Sequence, residues 1–408
     1  MYRLLFHGLC LTAAINAQAL TLDSLSSECV SKNPEIAFYE AQIQIAQGRR
    51  IEAGKKSNPT LTAQIGTWDV KGVGDGPAWQ AAVSQTFEWP GRISLRKAIA
   101  DRQIALAELG LQSLKASLSA KARGVGMQFL VQQEKLDATQ AALSRLKGVL
   151  NVLVQRDPAG VAPLLEMRIL EAQVLAFNKA IADATKEKER IKLELNFLRG
   201  AAPEADLHLT ASNLELPALP SLDSLLTLAQ KQNFDIRARQ AEVQQQGFEV
   251  ELARNERGPS VTVQPFVARQ QAGPEREINA GISVSIPLPL WNRNQGNIAA
   301  AEARRVQLET SLLVTSRSID RQVVEHSKFY NTLRAQLNDT APEALNLFHD
   351  AAEQGDRHYQ LGAIPVSTYL ELQKSYLDAL ETLLSSKAEA LLELQEIELL
   401  TNACLLKP

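Results

Sequence analysis

Residues that commonly carry chemistry are few in this 408-residue chain and widely separated. It has three cysteines and five histidines, and no nucleophile-elbow, zinc-protease, paired-cysteine or phosphate-loop motif. His349 and His358 are nine residues apart, a poor helical spacing for two ligands of one metal ion. His208 and His326 are isolated in the sequence, and we interpret all of these as surface or packing residues. The sequence therefore predicts no catalytic residue, no metal site and no cofactor.

Composition excludes several other classes of protein. The formal net charge is -3, whereas nucleic-acid binding needs a basic excess or patch. Hydrophobic residues make up 45% of the chain and charged residues 22%, so a disordered chain is excluded. Beyond the N-terminus, no run of about 18 apolar residues predicts a membrane-spanning helix.

The first 19 residues have the pattern of an export signal. Arg3 supplies the positive charge, an apolar stretch follows over 4–15, and Ala17-Gln18-Ala19 matches a cleavage site. Leu20 occupies the next position instead of a cysteine, so no lipid anchor is predicted. The alternative interpretation is a short buried helix.

Two cysteines would remain after cleavage, Cys29 and Cys404. An oxidising compartment would allow them to form a disulfide. The sequence leaves open whether they pair or stay as two thiols.

The two halves of the chain match at an offset near 200 residues, which predicts two structural repeats. Asn33-Pro34-Glu35-Ile36 matches Asn233-Phe234-Asp235-Ile236, and 170–173 matches 370–373 in the same order. The predicted domains are a signal peptide at 1–19, a first repeat at 20–200, an equatorial linker at 201–220 and a second repeat at 221–408.

Each repeat is predicted as a helix, two strands, a very long helix and a further helix. In the first repeat these are near 22–56, 60–69, 79–89, 92–156 and 163–200. In the second they are near 221–256, 260–270, 277–288, 293–357 and 365–403. Each long helix would extend roughly 96 Å, more than a globular domain needs. The predicted fold class is mainly α with a small β part.

Strict seven-residue repeats occupy the last helix of each half. A period of seven predicts left-handed supercoiling. Two adjacent series in the second half indicate that this helix packs on neighbours at both sides, as in a helical barrel. The series are Leu170, Phe177, Ala184, Ile191 and Leu198; then Leu370, Leu377, Leu384 and Leu391; then Tyr369, Tyr376, Leu383, Ala390 and Ile397.

The four predicted strands alternate between apolar and hydrophilic residues. Strands of about 10 residues are long enough to cross a bilayer when tilted, with lipid on one face and water on the other. A half-buried sheet of a soluble protein is the alternative. The residues predicted to line a barrel lumen are Thr62, Gln64, Gln80, Ser84, Thr262, Gln264, Asn279, Ser283 and Ser285.

All four tryptophans lie in or beside these strands, as in the aromatic girdle of a membrane barrel: Trp68, Trp79, Trp89 and Trp291. Four strands cannot close a barrel, and open edges are excluded from lipid. The chain is therefore predicted to oligomerise. A homotrimer would supply twelve strands, although closure alone does not fix the number three.

The segment 283–298, SVSIPLPLWNRNQGNI, resembles the strand-to-helix junction of TolC-family outer-membrane factors, most closely the CzcC-like branch of RND metal-efflux systems. The segment 357–362, RHYQLG, with Tyr369, Leu370 and Gln373, resembles the family's helix-hairpin tip. The resemblance implies a trimeric channel-tunnel in the Gram-negative outer membrane, with four transmembrane strands and long periplasmic coiled-coil helices per protomer. It implies a passive gated conduit for metal ions or small molecules, working with a periplasmic adaptor (membrane fusion protein) and an inner-membrane RND-type pump.

The resemblance also assigns roles to individual positions. It places the periplasmic constriction at Thr368 and Glu371, only one of which is a carboxylate, and the family's closing arginine falls on Ile364. Three Glu371 carboxylates around one axis would attract cations and repel anions; a solvated surface charge is the alternative. Adaptor docking is expected at the tip residues Arg156, Gly160, Pro163, Arg357, Tyr359, Gly362 and Pro365.

Two rival functions make different predictions. A soluble periplasmic coiled-coil scaffold or adaptor would lack a lipid-facing band on its strands. A general diffusion porin would need many more strands per chain and no long helices.

Overall fold

The computed structural model describes residues 20–155, 161–210, 216–403 and 405. The predicted signal peptide lies outside the described residues and stays a prediction. Twelve elements follow in chain order: α1 Leu22–Lys32, α2 Glu35–Ala53, β1 Thr60–Val70, β2 Gly74–Phe87, α3 Arg92–Gln155, α4 Val161–Leu198, α5 Leu222–Gln232, α6 Phe234–Asn255, β3 Val261–Ala272, β4 Glu275–Ser285, α7 Gln295–Gln360 and α8 Val366–Thr401. Each half thus has the order helix, helix, strand, strand, long helix, helix. No helix in the described part of the chain is apolar over a length that would cross a membrane.

The helix expected at the start of each repeat is in fact two helices, and the reason is an asparagine. Asn233 caps α6, because its side chain accepts hydrogen bonds from the amides of Asp235 and Ile236. Asn33 takes the equivalent place between α1 and α2, where its side chain accepts a hydrogen bond from the Glu35 amide at 2.8 Å. The tetrapeptides that revealed the repeat are therefore helix breaks.

The chain divides into two compact units. The helical unit comprises the described residues of Met1–Ile36, Leu114–Leu226 and Gln322–Pro408. The sheet unit comprises Ala37–Ser113 and Thr227–Arg321.

The core of the helical unit confirms the predicted seven-residue periodicity. All five members of the α4 series are buried, with exposed fractions between 0% for Leu170 and 7% for Phe177. On α8, Tyr369, Ala390 and Ile397 are completely buried, and Leu384 and Leu391 are nearly so. Leu170 and Phe177 pack with Tyr359 and Tyr369 in one cluster.

The sheet unit contains a four-stranded antiparallel sheet in the order β1-β2-β3-β4. β1 and β4 are its edges, and nearly all of their residues are exposed. Phe266 on β3 stands opposite Gly281 on β4, and a Cβ at Gly281 would lie only 3.1 Å from the Phe266 ring. The glycine therefore makes room for the aromatic side chain of the neighbouring strand.

Arg92 fixes the junction at which β2 leads into α3. Its guanidinium donates to the Ser260 hydroxyl at 3.1 Å and to the Gly258 carbonyl at 3.0 Å. It also donates to the side chain and the carbonyl of Asn255. Asn255 in turn donates to the Pro90 carbonyl at 2.8 Å. This one arginine therefore ties the start of α3 to the segment between α6 and β3.

Candidate functional sites

The nine residues predicted to line a lumen share one face of the sheet, which we call the hydrophilic face. The strand register pairs Gln64 with Gln80, Gln80 with Ala268, and Ala268 with Asn279, so these residues share one face. The opposite face, which we call the apolar face, carries residues such as Ile65, which is 90% exposed, and Ile282. The lumen role of the hydrophilic face remains a prediction.

The tryptophans do not form one girdle on the apolar face. Trp79 pairs with Ile65 and lies on the apolar face. Trp68 is four residues from Gln64 in a strand without a bulge, so the pleat places it on the hydrophilic face. The expectation was wrong for Trp68, because side-chain direction alternates at every residue.

The other two tryptophans lie beyond the strand ends. Trp89 follows β2 and lies against Gly258, where a Cβ would come within 2.4 Å of its indole ring. Trp291 follows β4 and is 87% exposed. Both positions are compatible with a membrane interface, where an indole has both polar and apolar neighbours.

The turn between α7 and α8 is defined by Gly362. Gly362 has φ +73°, and its amide donates to the Tyr359 carbonyl at 2.9 Å. The Ala363 amide donates to the His358 carbonyl at 2.8 Å. This pair of bonds is a Schellman motif, which needs a left-handed residue that glycine adopts without strain. Pro365 then takes the N-cap position of α8.

Three of the predicted tip residues line one cavity of about 360 Å³ in the helical unit: Tyr359, Gly362 and Pro365. Its wall also includes Glu166 of α4, whose carboxylate accepts a hydrogen bond from the Tyr359 hydroxyl at 3.3 Å. Arg357 is exposed in the last turn of α7.

The remaining tip residues belong to the first hairpin. Arg156 and Gly160 lie outside the described residues, and so does the side chain of Pro163, which falls in the first turn of α4. Their docking role stays a prediction.

The predicted constriction residues are both exposed on α8. Thr368 and Glu371 are one turn apart on the same side of the helix. Among the described residues, Glu371 has no basic side chain within ion-pair distance. Ile364 is half-buried against the core cluster that contains Tyr369, so this position serves packing.

A polar cluster joins three helices just behind this surface, through contacts that the sequence did not predict. Gln373 on α8 is 1% exposed and donates to the Ala352 carbonyl at 3.0 Å and the Asp356 carboxylate at 3.3 Å. Its side-chain oxygen accepts a hydrogen bond from Arg145 on α3 at 3.2 Å. Tyr369 is fully buried, and its ring stacks on that of Tyr359 with centroids 5.1 Å apart.

Burial sets the titration of this cluster, which lies outside the strands. It raises the pKa of the Asp356 carboxyl above its usual range, although the Tyr369 hydroxyl and the Arg145 guanidinium act in the opposite direction. Burial and the nearby Asp356 carboxyl likewise raise the pKa of the Tyr369 phenol. The resemblance named Tyr369 and Gln373 as tip residues, but no sequence signal pointed to their contact with Arg145, which is more than 200 residues away in the chain.

The cysteine and metal predictions remain largely open. Cys29 is buried in the core of the helical unit, where burial raises its pKa to about 11. Cys404 lies outside the described residues, so the disulfide stays a prediction. Within the described part of the chain, no three His, Cys, Asp or Glu side chains are grouped as a metal site.

Comparison with known proteins gives one family match, in the second half of the chain. Residues 225–403, from α5 to the end of α8, match the family described as outer membrane efflux protein. This match covers the second repeat, from α5 to α8. The chain is also 24% identical over 365 residues to the cobalt-zinc-cadmium resistance protein CzcC of Cupriavidus metallidurans, covering 89% of this chain and 85% of that protein.

Solved structures of similar fold extend the likeness to nearly the whole chain. The outer membrane protein VceC of Vibrio cholerae matches with a TM-score of 0.74 at 18% identity, covering 94% of this chain and 96% of that one. The channel CusC matches with a TM-score of 0.76 at 15% identity, covering 93% of this chain and 91% of that one. At these identities, the structures establish the fold of this chain.

Proposed function

We propose that this protein is the outer-membrane channel subunit of a tripartite efflux system in a Gram-negative bacterium. A homotrimer would place the strands in the outer membrane and the long helices in the periplasm, where a periplasmic adaptor and an inner-membrane RND-type pump would dock. The chain would be a passive gated conduit and not an enzyme. The sheet carries this proposal, because it has an apolar face, a hydrophilic face and two exposed edges.

Exposed edges support assembly with further copies of the chain. β1 and β4 are the outermost strands in the described sheet, and their backbone groups along the outer side need partners in a lipid environment. β1 runs antiparallel to β2, β2 to β3 and β3 to β4. Because each sheet has an even number of strands, β4 of one copy can pair antiparallel with β1 of the next. Closure by identical copies would leave no edge exposed.

Apolar side chains exposed on the helices support the same assembly. Leu175 and Phe197 on α4 are 73% and 71% exposed, and Leu347 on α7 is 68% exposed. Large apolar side chains in such numbers on one chain indicate surfaces that become covered in an assembly. They favour a trimer of helical walls over a soluble monomer.

The cargo is proposed as metal cations or small molecules. CzcC, by its name, confers resistance to cobalt, zinc and cadmium in its own organism. The exposed Glu371 carboxylate adds electrostatic support, because a ring of three would favour cations. A pump would supply the energy for transport.

The test is the mass of the purified protein in detergent, with the same fraction examined by electron microscopy. A trimer with a helical stalk of roughly 100 Å would support the channel. A monomer or dimer that stays in solution without detergent would refute the outer-membrane assignment and favour the periplasmic scaffold.

A further inference from the structure

Two arginines interrupt the apolar face near the turn of the β3–β4 hairpin. Arg269 on β3 stands between Trp79 on β2 and Ile278 on β4. Arg276 on β4 is two residues from Ile278, the partner of Arg269, so Arg276 is the diagonal neighbour of Arg269. Residues in that relationship lie roughly 7–8 Å apart. The two long side chains therefore share one face and can reach the same ligand.

The charges on this hairpin are sorted between the two faces by the pleat. Glu275 and Glu277 flank Arg276 in sequence, but they lie on the hydrophilic face together with Asn279. Among the described residues, neither Arg269 nor Arg276 has a carboxylate within ion-pair distance. Within the described sheet, the two guanidinium groups on the apolar face are therefore not held in ion pairs.

Their position suits the headgroup level of a membrane. A charge on the lipid-facing side of a strand is costly at the midplane, and the cost falls to almost nothing at the interface. Trp79 pairs directly with Arg269, and tryptophan is enriched at the same level of a membrane. Two adjacent guanidinium forks match the oxygens of a phosphate group, which they bind in bidentate fashion.

We propose that Arg269 and Arg276 together bind the phosphate of a lipid headgroup in the outer leaflet of the outer membrane. The inference rests on the proposed function, because only a membrane-spanning sheet brings this face into contact with lipid. Asp69 and Asp75 pair with each other across the β1–β2 hairpin and also lie on the apolar face. An edge contact between Arg276 and a second copy's Asp69 is the competing arrangement, and the experiment separates the two.

The experiment measures lipid binding to the intact detergent-solubilised protein by native mass spectrometry. Diphosphoryl lipid A, fully dephosphorylated lipid A and inorganic phosphate are added in turn to wild type and to the double variant Arg269→Gln/Arg276→Gln. The matched control is Arg304→Gln/Arg317→Gln, which removes two exposed arginines of α7 in the same unit. We expect the double variant to bind diphosphoryl lipid A about tenfold or more weakly than wild type. The control should bind as wild type does, and dephosphorylated lipid A should bind all three equally.

Three results would overturn the proposal. The first is equal binding of diphosphoryl lipid A by wild type and the double variant. The second is equal competition by inorganic phosphate at the same concentration as the lipid, which would indicate a general anion site. The third is loss of the oligomer in Arg276→Gln together with its recovery in the charge-swapped double variant Arg276→Asp/Asp69→Arg. That result would assign Arg276 to the contact between copies.

Failure of the proposed function would look different. It would appear in the wild-type protein itself, as a species that needs no detergent and inserts into no vesicle. If wild type and the double variant both insert into membranes and bind diphosphoryl lipid A with the same affinity, only the headgroup proposal fails.

Discussion

The Arg145 guanidinium on α3 lies 3.6 Å from the Asp356 carboxylate on α7, and buried Gln373 on α8 bonds to both side chains. Three helices of the helical unit are thus joined by one polar cluster. Hydrogen bonds at buried positions are expensive to leave unmade, so the geometry depends on all three members. Because Glu371 is only two residues before Gln373 in α8, the cluster also positions the predicted constriction.

Replacing Gln373 tests this dependence. In Gln373→Leu, Arg145 and Asp356 each lose a partner while staying half-buried, and we expect a loss of about 1–3 kcal/mol of stability. The measurement is thermal unfolding in detergent followed by circular dichroism. Lys374→Leu, an exposed neighbour, is the control and should unfold close to wild type. Equal melting temperatures for both variants would contradict the role given to the cluster.

Asp356 predicts a specific pH dependence. Because burial raises its pKa, the folded protein binds a proton more tightly than the unfolded chain does. The stability that this tighter proton binding adds is fully present below the usual Asp pKa of about 3.9. It is lost as the pH rises through the higher pKa of the folded protein. Arg145, Tyr369 and Glu353 are the charged or titratable groups that face the carboxyl.

The measurement compares the melting temperatures of wild type and Asp356→Asn across this range. The wild type should lose stability relative to the variant as the pH rises from about 4 towards neutral, with a slope below about 1.4 kcal/mol per pH unit. A difference in melting temperature that stays constant as the pH rises, or that grows in favour of wild type, would contradict a raised pKa of Asp356.

The sequence predicts what repeats locally and misses what depends on tertiary contacts. The series from Leu170 to Leu198 was predictable because helix packing repeats every seven residues. The helix break at Asn33 also has a local signal, because Pro34 disfavours the helical conformation of the residue before it. Trp68 was predictable from strand parity, since it is an even number of residues from Gln64. The contact between Arg145 and Asp356 had no local signal, because more than 200 residues separate them.

Arg92 and Arg293 begin the long-helix segments of the two repeats, yet the structure gives them different surroundings. Arg92 makes four hydrogen bonds to Asn255, Gly258 and Ser260, whereas Arg293 is exposed. A lysine cannot reproduce the planar fork of arginine. We expect Arg92→Lys to lower stability by about 1–3 kcal/mol and Arg293→Lys to leave it unchanged. Heat-induced dissociation of the oligomer, followed on gels, measures the difference, and similar curves for both variants would contradict it.

Leu170 and Leu175 lie on the same helix but have opposite surroundings, so they separate folding from assembly. Leu170 is fully buried in the protomer, whereas Leu175 is 73% exposed. Leu170→Ala should cost about 2–5 kcal/mol of protomer stability through the cavity it leaves. Leu175→Asp should leave the fold intact and weaken the oligomer, because a charge would enter an apolar contact. Circular dichroism and mass in detergent distinguish the effects; an unchanged oligomer in Leu175→Asp would remove this leucine from the interface.

Glu371 and Lys374 are one turn apart on the exposed side of α8 and carry opposite charges. If three copies bring this side of α8 around one axis, Glu371 favours cations and Lys374 opposes them. In planar bilayers at low salt, Glu371→Gln should therefore reduce the preference for cations over anions, and Lys374→Gln should increase it. High salt should weaken both effects by screening. A Glu371→Gln channel with wild-type selectivity would show that this carboxylate is a solvated surface charge, since its removal would leave the permeating ions unaffected.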